Sequence, residues 1–267
     1  MKLRPILAIA LRQFYLMRGS PARILPMFAW VAIDIVLWGF ITRYLNSVGT
    51  GGMDFVPRLL GAVLFWDFFT RVMQGVTMAF FEDVWSRNFL NLFATPLSTA
   101  EYVSGLVLTS VCTSLLGLTA MLLLATTIFD LQFVALGVWL IPYLLVLFLF
   151  GIALGIIATG TVLRLGPASE WLVWPIPALL APFAGVFYPL STLPTWMQAV
   201  SAALPPSYVF EGMRALLAGG PHDARPLLYG GAIAILQVLL ASWGFRRIYR
   251  HAVRTGLLAR YSAESTS

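Results

Sequence analysis

Three ionisable side chains sit inside stretches that are otherwise almost wholly apolar: Asp34 within residues 24–45, and Asp67 with Arg71 within residues 56–81. A charge at the middle of a bilayer costs about 2.5–3.5 kcal/mol even on permissive scales, so such groups are expected to pair or to face water. Asp67 and Arg71 are four residues apart and share one face of a helix. Three roles fit them: a polar patch on a transport path, a proton-coupling site, or an ion pair that fixes how the first two spans pack. A second acid–base couple, Glu211 and Arg214, stands near the end of FYPLSTLPTWMQAVSAALPPSYVFEGMR, residues 187–214. Nucleotide chemistry has no residues to perform it. A phosphate-binding loop needs a Gly-rich turn ending in lysine, and the sole lysine, Lys2, has no such turn before it. Cys112 is the only cysteine and the histidines are His222 and His251, so neither an intrachain disulfide nor a metal cluster is expected.

The elements that must position these groups are membrane helices. The 267 residues are 60% hydrophobic and 10% charged, against ~25% charged in a soluble domain. The apolar residues gather into runs that predict an all-α polytopic membrane protein with six spans, near residues 24–45, 56–81, 103–129, 133–163, 171–188 and 227–245. Before them, residues 5–18 predict an interfacial helix. Leu3, Leu7, Leu11 and Phe14 fall on one face and Arg4 and Arg12 on another. The chain therefore divides into an N-terminal interfacial helix (1–23), a six-span domain (24–246) and a basic tail (247–267). Pro142, Pro175, Pro177 and Pro182 are expected to kink or thin their spans. Gly151 and Gly155 allow a neighbouring helix to come close. Trp66, Trp171, Trp174, Trp196 and Trp243 suit membrane interfaces.

Six spans put both ends on one side. Lys2, Arg4, Arg12, Arg18, Arg23, Arg87, Arg164, Arg246, Arg247, Arg250, Arg254 and Arg260 fall there, against Arg43, Arg58, Arg214 and Arg225 opposite. That bias makes both termini cytoplasmic. It also accounts for the net charge of +6 without nucleic acid, the closing arginines lying on anionic headgroups.

Two segments are neither spans nor free loops. Residues 82–95 carry Trp85, Phe89 and Leu92 at helical spacing with Phe93 beside them, ringed by Glu82, Asp83 and Arg87. An aromatic knob with a charged rim suits a groove on a partner, or else a helix lying on headgroups. Residues 191–214 hold two short helical patterns around Pro205 and Pro206, each too short to cross. They can dip into the membrane and return, or lie on its surface.

The pattern from Phe187 to Arg214, with ATPLS at residues 94–98, resembles the permease subunit of ABC-2 type exporters, a group that includes polysaccharide, lipo-oligosaccharide and drug exporters. The resemblance implies six transmembrane helices, an N-terminal interfacial helix, a cytoplasmic coupling helix and an extracytoplasmic re-entrant helical hairpin. The coupling helix would be 82–95, with Glu82, Asp83, Trp85, Arg87, Phe89, Leu92 and Phe93 meeting the ATPase. The hairpin would be 191–214, with Pro194, Trp196, Pro205, Pro206, Phe210, Glu211 and Arg214 as its determinants. The expected function is the permease of an ATP-driven exporter in the bacterial inner membrane, moving an amphipathic or lipid-linked substrate outward. Energy would come from a separate cytoplasmic ABC ATPase, in two copies, that binds ATP and Mg. A second permease, forming a homodimer, would complete the pathway. The alternatives are a self-contained secondary transporter using Asp34 and Asp67, or a membrane assembly protein that transports nothing. EDVWSRNFLN, residues 82–91, departs from the more acidic, glycine-containing run often found there in the family.

Overall fold

A computed structural model describes residues 2–48, 56–86, 91–92, 94–131, 137–219 and 223–256, and among these there are helices and no strands. Helix α1 (Leu3–Arg18) ends at Gly19, and α2 (Pro21–Val48) follows at once. Pro21 opens α2, a position where its missing N–H costs nothing. A π turn (Val56–Leu60) leads into α3 (Gly61–Trp85). Helix α4 (Thr99–Phe129) starts with a reciprocal cap: the Ser98 hydroxyl accepts from the Glu101 N–H, and the Glu101 carboxylate accepts from the Ser98 N–H. Helix α5 (Leu140–Leu165) closes on Gly166. Then come a 3-10 turn (Pro167–Leu172) and the short helices α6 (Ile176–Ala184), α7 (Thr195–Ser201) and α8 (Pro205–Leu217). The last helix, α9, runs Arg225–Arg254.

Five helical stretches among the described residues are long and apolar enough to cross a membrane: Phe28–Val48, Arg58–Trp85, Thr99–Phe129, Gly137–Leu165 and Arg225–Arg254. The stretch expected as a fifth span, 171–188, is not one helix. Pro167, Pro175, Pro177 and Pro182 remove backbone donors, and Gly185 turns left-handed at φ +61, leaving a 3-10 turn and nine α-helical residues. At the other end the chain is more regular than expected. Arg246, Arg247, Arg250 and Arg254 stand on the continuous helix α9, so the 246/247 boundary falls inside an element, and the tail beyond residue 256 lies outside the described residues.

Helix α3 is the central strut, packed between α4 and α5. Its closeness to α5 depends on the two glycines singled out by sequence. A Cβ at Gly151 would stand 2.8 Å from the Val72 side chain, and one at Gly155 2.7 Å from that of Val76. On the α4 side, Gly75 packs onto Ser110, whose hydroxyl donates to the Val72 carbonyl at 2.8 Å. Helix α9 lies along α5, and α8 sits against both.

Candidate functional site

One face of α3 carries Asp67, Thr70, Arg71, Gln74, Gly75, Met78, Glu82 and Trp85, the three- and four-residue steps of a single helix stripe. At 1.5 Å per residue the stripe is about 27 Å long. It lines a cleft of about 750 Å³ whose other walls are Gln13, Leu16 and Met17 of α1, Trp30 and Asp34 of α2, Thr109 and Thr113 of α4, and Trp174. That volume lies within the ~300–1,000 Å³ of ligand-sized cavities. Sequence spacing had pointed to Asp67 and Arg71 here and to Glu82 and Trp85 only as part of a coupling helix; Thr70 and Gln74 were legible as the same stripe once its 3.6-residue period is followed through.

At the deep end Arg71 Nε donates to Asp67 Oδ2 at 2.6 Å, with Nη2 3.4 Å from Oδ1. Gly117 of α4 makes room for the stem of Arg71, since a Cβ there would meet its Cδ at 3.0 Å. Asp34 faces the same cleft. At the other end the Trp85 indole donates to Glu170 Oε2 at 2.9 Å, tying α3 to the 3-10 turn.

Beside that end, α1 is fastened to α3 and α4 by buried polar groups. Asp83 is fully buried, paired with Arg12 and accepting from the Tyr102 hydroxyl at 2.8 Å. The Gln13 amide donates to the Ala79 carbonyl at 3.0 Å, the Lys2 N–H to Glu101 at 2.7 Å, and Ile9 fills the space over Gly105. Burial pulls the Arg12 guanidinium below its ordinary value. The polar face expected for Arg12 is thus turned inward, while Leu3, Leu7, Leu11 and Phe14 are exposed on the opposite face.

Of the residues expected to meet an ATPase, Glu82, Asp83 and Trp85 are the last turn of α3 rather than the start of a separate helix, because no breaker intervenes after Phe81. Asp83 points into the protein, not onto a rim. Trp85 is half exposed, and Leu92 packs against the main core. Arg87, Phe89 and Phe93 lie outside the described residues.

The Pro-rich segment forms a compact knot. Pro194 precedes α7, and Trp196 is exposed with its ring edge against Phe183. Pro205 and Pro206 are buried at the first positions of α8 and begin that helix. Phe210 is fully buried beside Trp66. Glu211 Oε1 accepts from the Leu190 N–H at 2.7 Å and from Arg214 at 2.9 Å, and Arg214 also donates to the Gly185 carbonyl at 2.7 Å.

The sequence profile of the ABC-2 type transporter family matches residues 5–218, from α1 through α8. The chain belongs to the ABC-2 type transporter family. It is a transmembrane permease of the ABC transporter class, a family whose members work with ATPase subunits in a membrane. A search of curated proteins finds no match. The ABC-2 match takes in the whole cleft-lining stripe and the knot around α7 and α8, and it stops before α9.

Proposed function

We propose that this chain is the permease of an ATP-driven exporter, and that the cleft along α3 is the entry path for an amphipathic or lipid-linked cargo. The observation that carries the reading is the stripe from Trp85 to Asp67, which joins the α1 end of the bundle to its middle through a cavity of about 750 Å³. Charge bias makes the α1 end cytoplasmic. Cargo would enter beside Trp85 and Glu170. A cytoplasmic ATPase docking on residues 82–95 would then act on the mouth of the cleft. This chain has no phosphate-binding loop, so ATP and Mg belong to that partner, in two copies. A homodimer of permeases in the bacterial inner membrane would complete the pathway.

Residues 167–187 supply a sixth crossing in this reading despite their broken helix. Glu170 meets Trp85 at one end of α3, whereas Phe187 stacks on Trp38 at 5.0 Å. The neighbouring Gly39 packs on Phe129, at the opposite end of α4 from its Ser98 cap. Residues 191–214 would then form the re-entrant hairpin that seals the outer end.

Proteoliposomes holding the chain alone, or the chain with a candidate ABC ATPase, would be supplied with ATP and a panel of fluorescent amphiphiles. Movement that requires both ATPase and ATP is expected. Movement driven by an ion gradient with the chain alone would overturn the reading.

A further inference from the structure

The cleft's charges and hydrogen-bond donors are unequally spent. Its described lining holds three acids, Asp34, Asp67 and Glu82, and one base, Arg71. Arg71 is committed to Asp67. Glu82 lies within electrostatic reach of Arg12. Among the described residues no side chain or backbone group donates a hydrogen bond to Asp34, and Arg71, the base within its electrostatic reach, already bonds Asp67. Four of the neutral polar residues donate to backbone carbonyls. The Thr70 hydroxyl donates to the Trp66 carbonyl at 2.9 Å, Thr109 to Gly105 at 3.0 Å, Thr113 to Thr109 at 3.1 Å, and the Gln13 amide to Ala79 at 3.0 Å. What remains facing the cavity is therefore an excess of acids over bases, the Gln74 amide, and aromatic surface. Trp30, one helical turn from Asp34, is 62% exposed, and Trp174 is 49% exposed.

We propose that the cleft accepts a hydrophobic monocation, its charge set against Asp34 and its apolar body against Trp30 and Trp174. An anion would meet the carboxylate with no free base to offset it. A polyhydroxylated neutral cargo would find few donors for its oxygens. A cation with an apolar body satisfies both features, since indole faces attract positive charge and a low-dielectric site strengthens its attraction to Asp34. The inference rests on the reading of the cleft as a cargo path and names the chemical class of that cargo.

Two ions of nearly the same shape and opposite charge provide the test: tetraphenylphosphonium and tetraphenylborate. The full chain in zwitterionic phospholipid nanodiscs would be titrated with each, with empty nanodiscs as the blank and tryptophan fluorescence as the readout. Saturable binding of the phosphonium and none of the borate is expected. Asp34→Asn should weaken phosphonium binding about tenfold, equivalent to about 1.4 kcal/mol, and Asp34→Glu should restore most of it. A thermal melt of each variant checks that it is folded; should Asp34→Asn fail, Trp30→Ala in its place should weaken binding several-fold. Equal binding of both ions would overturn the proposal, as would unchanged phosphonium affinity in the folded variants. No ATPase is present in this experiment. Loss of cation selectivity with ATP-driven transport intact therefore strikes only this proposal, whereas selective binding without ATPase-dependent transport strikes the exporter reading.

Discussion

Glu211 illustrates how a residue that looks like half of a surface ion pair becomes a structural clamp. One of its oxygens receives both the Leu190 N–H and the Arg214 guanidinium, while Arg214 reaches on to the carbonyl of Gly185. The couple therefore ties α8 to the chain on both sides of residues 186–189, where Gly185 holds a left-handed conformation at φ +61. An exposed pair is worth ~0–1 kcal/mol, and Glu211 is 40% exposed at its side chain. The larger cost of removing it lies in the Leu190 donor left without its acceptor, about 1–3 kcal/mol, since Arg214 keeps the carbonyl of Gly185. Glu211→Ala should therefore lower the thermal midpoint of the purified chain, whereas Glu211→Gln, which keeps an acceptor oxygen, should recover part of the loss. A midpoint unchanged in Glu211→Ala would show that the clamp contributes nothing. The spacing of Glu211 and Arg214 made their pairing legible in sequence; the two backbone partners, more than twenty residues upstream, were not.

Among the elements, the contact of α3 with α5 decides whether the cleft stripe is held straight. Gly155 stands where any side chain would press on Val76 at 2.7 Å and on the backbone carbonyl of Met73 at 3.0 Å. Backbone cannot move aside cheaply, so Gly155→Val should cost about 1–3 kcal/mol by overpacking. Gly244 of α9, with nothing within 4 Å of an added Cβ, is the control: Gly244→Ala should be neutral or slightly stabilising through helix propensity of up to ~1 kcal/mol. Thermal melts of the two variants side by side measure the contrast, and equal effects would refute the packing argument. Here the sequence was informative in part. Hydrophobic runs located α2, α3, α4, α5 and α9, and the pair Gly151 and Gly155 marked a close approach without saying which helix makes it. Charge alone misplaced Arg12 and Asp83, assigned to water and to a partner, because their burial follows from α1 packing on α3 and α4. Local pattern carries no trace of that contact.

For the whole molecule the deciding quantity is the number of crossings, since it fixes which end of the α3 cleft meets the ATPase and which meets the outside. Five stretches are long and apolar enough to span, and an odd number would place Leu3 and Arg254 on opposite sides. Residues 167–187 restore an even number in the proposed topology, joining the Trp85 end of the bundle to the Trp38 level through two short helical pieces. A broken backbone is tolerable at that depth only where protein covers it or water reaches it; the burial of Val173, Pro177, Ala184 and Val186 shows protein cover for this segment. Single-cysteine labelling separates the two counts. Cys112 is exposed among the described residues, so it is first replaced by serine. Cysteines placed singly at Ser86 and Thr255, both exposed, should then react with an impermeant maleimide only from the cytoplasmic side. Those placed at Ser191 and Ala218, exposed on either side of the α7–α8 knot, should react only from outside. Labelling at Ala218 from the cytoplasm with Ser191 outside would mean that the knot itself crosses. Cytoplasmic labelling at both Ser191 and Ala218 would mean that residues 167–187 do not cross, and would leave the outer end of the bundle without the hairpin that seals it in the proposed topology.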